Sequence, residues 1–211
     1  MSNFDLTKSK PDELLKQQSH TKKHLTLDDL KRKDVTVTAI KRVLVFDASG
    51  SMYGYKITEV RRMLTELWQP HLDAVVFNSD VYLLDAKSDI ADLDATGGTA
   101  MLEALNEVWA HSYKHIILGT DGHPDSGPQP ILNAAMHHTD IPIDTIGIGE
   151  HGGGGYDPDF LRELARITGG RFTDCGEPIR LTSIVQDLLL NPPKGMMLKD
   201  GDKEKGGVIQ L

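Results

Sequence analysis

Short apolar segments separated by stretches with helical spacing constrain the fold of this chain more than any other feature. Val43–Phe46 is a continuous apolar run, and Ile116–Leu118 and Ile143–Ile148 have the same character of strands buried on both faces. Between the first two lies Ile57–Trp68, whose apolar residues recur at helical intervals. This alternation predicts an α/β fold with an open, mostly parallel sheet and helices on both of its faces.

A hairpin interrupts the alternation and adds an antiparallel strand at the edge of the predicted sheet. The apolar segments Leu72–Phe77 and Val81–Leu84 are joined by the turn residues Asn78, Ser79 and Asp80. The strand at 43–46 is predicted beside the strand at 116–118, in the centre of a doubly wound sheet. Four further helices are predicted at Ala100–Trp109, Pro130–His137, Asp159–Ile167 and Leu181–Leu190. One further strand, at an edge of the sheet, is predicted at Arg171–Thr173.

Composition divides the chain into three parts. Residues 1–34 are polar and mixed in charge, and are predicted to form an N-terminal arm. Residues 35–190 contain the alternating segments and are predicted to form the folded domain. Residues 191–211 hold Pro192, Pro193 and many Lys, Gly and Asp, so a flexible tail is predicted there.

The charge balance is acidic, with 31 Asp and Glu against 23 Lys and Arg and a net charge of −8. This balance argues against binding to nucleic acids or anionic membranes and suits a cation-binding protein. A single cysteine excludes an intrachain disulfide, and no stretch approaches the roughly 18 apolar residues that span a bilayer. The predicted location is the cytoplasm, or a virion if the gene is viral.

Oxygen-bearing side chains follow the two central strands and open one helix between them. Ligands of doubly wound sheets bind beyond the carboxyl ends of the strands, where the winding direction reverses. The segments that should meet there are residues 47–52, 96–100 and 119–124. Together they offer two carboxylates and three hydroxyls as candidate metal ligands: Asp47, Ser49, Ser51, Thr99 and Asp121.

This donor set favours Mg²⁺ as the bound ion. Mg²⁺ takes octahedral oxygen ligands at about 2.1 Å and keeps some of its water, which five side chains can satisfy. Ca²⁺ prefers roughly six to eight oxygens with bidentate carboxylates and suits the compact, hydroxyl-rich set less well. Mn²⁺ can substitute for Mg²⁺.

The order of these residues carries a family resemblance. Asp47-x-Ser49-x-Ser51, then Thr99 after two glycines, then Asp121 in a Thr-Asp-Gly loop, resembles the metal-ion-dependent adhesion site of von Willebrand factor A (VWA) domains. The resemblance covers about residues 40–190 and implies a Rossmann-like fold and a metal-dependent protein-binding module.

The same resemblance implies a role for each ligand and a class of partner. The hydroxyls of Ser49, Ser51 and Thr99 are expected to contact the metal directly. The two carboxylates are expected to act mostly through water, and an Asp or Glu of a partner protein completes the metal's ligands. The resemblance is to the intracellular bacterial or phage type, whose members often work beside AAA+ ATPases of the MoxR type or in tellurium-resistance and stress systems. A MoxR-type ATPase is therefore one candidate partner within a multiprotein assembly, and the sequence does not select among these systems.

Residues around the predicted site are candidates for contact with the partner. Tyr53 and Tyr55 follow the first ligand segment, and aromatic residues are favoured in protein interfaces; packing inside the domain is the alternative. His123 and Asp125 lie just past Asp121, where they either line the rim of the site or are exposed loop residues without a role.

Two further functions stay open beside metal-dependent binding. One is a structural or assembly subunit of a larger intracellular or viral particle, in which the metal is incidental. The other is a metal-assisted hydrolase or phosphatase. Against catalysis, Asp47 is followed two residues later by Ser49 rather than by a second acid, and the chain has no Walker-type Gly-Lys-Ser/Thr loop and no Gly-x-Ser-x-Gly elbow. The prediction is therefore that the chain is not an enzyme.

Overall fold

Six strands pair into one sheet in the computed structural model, which describes residues 41–149 and 155–193. The strands are β1 (Arg42–Asp47), β2 (Leu72–Phe77), β3 (Val81–Leu83), β4 (His115–Thr120), β5 (Ile143–Ile148) and β6 (Phe172–Cys175). Their order across the sheet is β3-β2-β1-β4-β5-β6, and only the β2–β3 pair is antiparallel. The predicted parallel sheet with an antiparallel edge strand, and the central position of β1 beside β4, are confirmed.

Helices cover both faces of the sheet. They are α1 (Tyr55–Leu67), α2 (Met101–Trp109), α3 (Pro128–Ala135), α4 (Pro158–Thr168) and α5 (Leu181–Leu190). Short 3₁₀ turns occur at Gly50–Met52, Lys87–Ile90 and Pro178–Arg180. None of the helices in the described ranges is long and apolar enough to cross a bilayer.

The side chains of residues 43–46 in β1 point alternately to the two faces of the sheet, and all four are apolar because both faces are covered. Val43 and Val45 pack with residues of α2, α3 and α4 in one core layer. Leu44 and Phe46 point to the opposite face and pack with residues of α1 and α5. Because both faces of the strand are covered, every residue from Val43 to Asp47 is buried.

Most element boundaries differ from the predicted ones by one or two residues, and two of these differences are described here. The helix predicted at Pro130–His137 begins two residues earlier, at Pro128, because proline has no N–H to lose and fits the first turn of a helix. The edge strand predicted at Arg171–Thr173 is shifted and extends to Cys175, which pairs with Ile148.

The winding of the sheet reverses beside β1. The chain leaves β1 towards β2 and β3 and returns to β4 on the other side of β1. Phe46 in β1 pairs with Gly119 in β4, so Asp47 and Asp121 end up at the same edge of the sheet. The ring of Phe46 lies over Gly119, where a Cβ atom would come within 2.3 Å of the ring, and glycine is required for this close approach.

A hydrogen-bond network around the buried Asp144 side chain lies at the opposite edge of the sheet, near the start of β4, β5 and β6. The Asp144 side chain in β5 accepts hydrogen bonds from His115 Nε2 (2.9 Å), the Arg171 backbone N–H (2.7 Å) and Arg171 Nη2 (3.2 Å). His115 and Asp144 are fully buried. Burial raises the pKa of Asp144, but the hydrogen bonds from His115 and Arg171 outweigh it and leave the pKa below its usual value. The network joins β4, β5 and the start of β6.

The predicted N-terminal arm, residues 1–34, lies outside the described residues, as do residues 194–211 of the predicted tail. The first residues of that tail are described and contact the folded part. Asn191 accepts a hydrogen bond from Arg171 Nη2 and donates one to Asp187 (2.8 Å), and Pro193 is buried.

Candidate metal site

Three loops meet at the edge of the sheet where β1 and β4 end. We name them the Asp47 loop (residues 47–52), the Thr99 loop (96–100) and the Asp121 loop (120–125). The Gly50 N–H donates to the Gly97 carbonyl (3.1 Å), the Thr96 N–H to the Ala48 carbonyl (3.0 Å) and the Asp125 N–H to the Thr99 carbonyl (3.0 Å). These backbone hydrogen bonds hold the Thr99 loop against both neighbours.

The Asp47 carboxylate is buried and held in one orientation. One of its oxygens accepts the Ser49 backbone N–H (2.7 Å), and the other accepts the Thr120 hydroxyl (2.5 Å). The pKa of Asp47 is raised to about 6, because burial, with a smaller contribution from the negative charge of Asp121, outweighs the hydrogen bonds from Ser49 and Thr120 that lower it. The site therefore disfavours negative charge on Asp47 until a cation is present.

A continuous chain of oxygens joins the Asp47 loop to the Asp121 loop. Ser49 Oγ lies 3.0 Å from Ser51 Oγ, which donates to Asp121 Oδ1 at 2.7 Å. A Cβ atom on Gly122 would lie 3.3 Å from Ser51 Oγ and 3.9 Å from Thr99 Oγ1, so these two hydroxyls face the same point. The structure thus brings the hydroxyls of the predicted ligands and the Asp121 carboxylate together, with Asp47 directly beneath them.

The chemistry of the donors fits a hard divalent cation. Hydroxyl and carboxylate oxygens are the ligands that Mg²⁺ takes, and in the structure the Ser49, Ser51 and Asp121 oxygens are joined to one another by hydrogen bonds. Within the described ranges, no three His, Cys, Asp or Glu side chains lie close enough together to hold a metal ion by themselves. An ion at this edge therefore relies on hydroxyls as well as on the two carboxylates.

The oxygen cluster opens to solvent on one side. Asp47, Ser49, Thr99 and Asp121 are buried, whereas Ser51 is exposed. An external group could reach the cluster past Ser51 without displacing the sheet or its helices.

Two polar contacts of the site were not indicated by the ligand pattern. Thr120, which fixes Asp47, directly precedes Asp121, and this adjacency is the only indication of it in the sequence. Lys56, in the first turn of α1, forms an ion pair with Asp121 Oδ2 and is 22% exposed. Lys56 and Asp121 are 65 residues apart in the sequence, so local sequence patterns could not predict this contact.

The candidate partner-contact residues around the site are exposed, and one of them also stabilises the Thr99 loop. Tyr53 and Tyr55 are 81% and 60% exposed, so the alternative that they pack inside the domain is wrong. His123 is also exposed. Asp125 is exposed too, but its carboxylate accepts the Thr99 backbone N–H at 2.8 Å, which gives it a structural role in the Thr99 loop in addition to its predicted place at the rim.

The contact between Asp125 and Thr99 leads to a testable prediction. Asp125→Ala removes the acceptor that holds the Thr99 N–H, so the hydroxyl of Thr99 loses its fixed position. We expect about tenfold weaker Mg²⁺ binding in calorimetric titration, corresponding to roughly 1.4 kcal/mol. Asp125→Asn keeps an acceptor oxygen and should bind nearly as well as the unmodified chain. Equal affinities for the alanine and asparagine variants would show that the contact does not support the site.

Fold and site together define a class of protein: a doubly wound α/β domain with an oxygen-rich cluster at the point where the winding reverses. A family model described as von Willebrand factor type A domain matches residues 55–174, more than half of the chain. The chain therefore belongs to the von Willebrand factor type A family. The matched range begins after the Asp47 loop and includes the Thr99 and Asp121 loops.

Two human proteins are similar in sequence. Von Willebrand factor A domain-containing protein 3A is 27% identical in an alignment 160 residues long that covers 65% of this chain and 13% of that protein. Von Willebrand factor A domain-containing protein 3B is 31% identical in an alignment 147 residues long that covers 65% of this chain and 11% of that protein. The chain thus corresponds to a small part of either relative.

Solved structures show the same fold. A von Willebrand factor type A protein from Catenulispora acidiphila superposes with a TM-score of 0.60 at 23% identity, over 70% of this chain and 41% of that one. The VWA domain of SpRpn10 superposes with a TM-score of 0.53 at 12% identity, over 72% of this chain and 94% of that one. At these identities the likeness extends to the fold alone.

Proposed function

We propose that this chain is a metal-dependent protein-interaction module that binds a carboxylate of a partner protein through a divalent ion, Mg²⁺ in the first instance. The family is one of protein-interaction modules. The observation that carries the proposal is the convergence of the Ser49, Ser51 and Thr99 hydroxyls and the Asp121 carboxylate at one edge of the sheet, since these are the oxygen ligands that Mg²⁺ takes.

The donor set suits an ion that must accept one more ligand. Ser49, Ser51 and Thr99 are neutral, and Asp47 and Asp121 are proposed to act mostly through water, so no direct protein ligand offsets the charge of the ion. A bound divalent ion would therefore keep a strong attraction for an external carboxylate, which is the chemistry it supplies to the site. The cluster is open at Ser51, where such a carboxylate could approach.

Exposed side chains beside this opening supply a surface for the rest of the partner. Tyr53 and Tyr55 each offer a large amphipathic side chain with few rotatable bonds, which favours them as contact residues. His123 adds a polar group on the Asp121 loop. We propose that these three residues contact the partner around its metal-bound carboxylate.

We propose binding rather than catalysis as the function of the chain. Mn²⁺ and Ca²⁺ are the alternatives to Mg²⁺ as the bound ion. The MoxR-type AAA+ partner and the intracellular bacterial or phage type stay predictions from the resemblance, and the cytoplasmic location stays a prediction from the composition. A structural subunit whose assembly ignores the metal is the competing function, and the following experiment separates the two.

The test is capture of partners from native lysate by the full chain in Mg²⁺ and in EDTA, with identification by mass spectrometry. Asp47→Asn is the site variant, and Asp140→Asn, which alters an exposed carboxylate away from the site, is the matched control. We expect a partner that is retained by the unmodified chain and by Asp140→Asn in Mg²⁺ only, and that Asp47→Asn fails to retain. Capture that is unchanged by EDTA and by Asp47→Asn would overturn metal-bridged binding and favour the structural subunit.

A further inference from the structure

Lys56 reaches the same carboxylate that the divalent ion would use. Its ammonium donates to Asp121 Oδ2, while Asp121 Oδ1 accepts the hydroxyl of Ser51. The Asp121 side chain is only 1% exposed, and the Lys56 side chain is 22% exposed. Both oxygens of Asp121 are thus engaged, one by a predicted metal ligand and the other by a cationic side chain.

The position of Lys56 in α1 is unfavourable unless a carboxylate offsets it. The N-terminal turn of a helix carries partial positive charge and disfavours a cation. Lys56 is the second residue of α1, and that first turn contains no acidic residue. The ion pair with buried Asp121 supplies the compensation from outside the helix.

A second element leaves room for the lysine. Gly149, at the end of β5, has a φ of +88°, and a Cβ atom there would lie 3.5 Å from Lys56 Cδ and 3.9 Å from Lys56 Nζ. The aliphatic stem of Lys56 therefore runs along the backbone at the end of β5 before its ammonium meets Asp121. This is a defined path into the oxygen cluster rather than a free surface side chain.

We propose that Lys56 is an internal competitor for the metal, which neutralises Asp121 in the metal-free protein and weakens the binding of a free divalent ion. The inference rests on the metal site of the proposed function. An ammonium and a divalent cation that share one carboxylate repel each other, and the repulsion is strong where water is scarce. Lys56 would therefore determine how tightly the site holds an ion.

Metal titration of the full chain by calorimetry, with Mg²⁺ and separately with Mn²⁺, tests the inference. Lys56→Met keeps the length and helix preference of the side chain and removes its charge. We expect this variant to bind either ion about tenfold more tightly than the unmodified chain, since the repulsion between the two cations is gone. Lys56→Arg keeps the charge and should stay near the unmodified affinity. Lys87→Met, which removes an exposed lysine on the turn after β3, is the control for net charge.

Thermal unfolding provides a second measurement that a purely structural role would not reproduce. In EDTA, Lys56→Met should unfold at a lower temperature than Lys87→Met, because Asp121 has lost its counter-charge. In saturating Mg²⁺ the difference should shrink or reverse, because the ion replaces the ammonium. An equal loss in both conditions would overturn the inference.

The two proposals fail in different ways. If the unmodified chain binds Mg²⁺ but Lys56→Met binds no more tightly than Lys87→Met, the competitor role is wrong and the metal site stands. If neither the unmodified chain nor Lys56→Met binds Mg²⁺ or Mn²⁺, the metal site itself is wrong and the competitor role falls with it.

Discussion

Asp144→Ala is expected to lower the free energy of unfolding by about 1–3 kcal/mol, the usual loss when a buried polar group is left without its hydrogen-bond partner. The substitution leaves His115 fully buried without its carboxylate and leaves the Arg171 backbone N–H without its acceptor. Urea denaturation at pH 7 measures the loss. Asp140→Ala, at an exposed position, is the matched control and should change stability by no more than about 0.5 kcal/mol.

The same network predicts a direction for the pH dependence of stability. The pKa of Asp144 is lower in the folded protein than in the unfolded chain, so the folded state binds this proton less tightly. The stabilisation is complete above the unfolded carboxyl pKa of about 3.9 and is lost as the pH falls through the lower folded value. The difference between the unmodified protein and Asp144→Ala should therefore narrow on acidification. A loss under about 1 kcal/mol at pH 7 would contradict a stabilising network.

The second large effect has the opposite sign: Asp47→Asn should stabilise the metal-free protein at neutral pH. The folded-state pKa of Asp47 is raised to about 6, about two units above that of an unfolded carboxyl. Keeping Asp47 ionised at pH 8 thus destabilises the fold by up to about 3 kcal/mol, and asparagine removes that charge with little change of shape. Urea denaturation in EDTA at pH 8 is the measurement.

The pH dependence of the stabilisation by Asp47→Asn, and its response to Mg²⁺, distinguish removal of the Asp47 charge from a general gain in stability. A carboxyl with a raised folded-state pKa gains a proton on folding between about pH 6 and 3.9, so the advantage of Asp47→Asn should disappear as the pH falls through that range. Added Mg²⁺ should stabilise the unmodified protein and leave Asp47→Asn unchanged. An asparagine variant that is less stable than the unmodified protein in EDTA would contradict this account.

The elements predicted best from sequence are those whose apolar pattern ends at a turn. Strands Leu72–Phe77 and Ile143–Ile148 and the helix Leu181–Leu190 have the predicted bounds. The edge strand β6 was placed too early because its residues are largely half-buried, so no apolar pattern marks its end. The pairing of Cys175 with Ile148 depends on β5 being in place, and no local sequence pattern encodes it.

The candidate site likewise has a part that sequence predicts and a part that it does not. The placement of Asp47 and Asp121, two of the predicted ligands, at one edge follows from their positions after the central strands, because neighbouring parallel strands end at one edge. The contacts of Lys56 with Asp121 and of Asp125 with Thr99 join side chains to distant loops, over sequence separations of 65 and 26 residues. Such contacts depend on the paths that individual side chains take in the folded protein, which strand and helix patterns do not specify.

The arrangement of β1 and β4 also has a mechanical consequence. Asp47 and Asp121 follow neighbouring parallel strands at the same edge, so a partner held through both would pull β1 and β4 in the same direction. Such a pull would not slide β1 past β4. It would instead act on the ladders of hydrogen bonds between β1 and β2 and between β4 and β5. Those ladders comprise six and five residue pairs, and sliding along either one requires many hydrogen bonds to break together rather than one at a time. An anchor at this point would spread a pulling force across the width of the sheet.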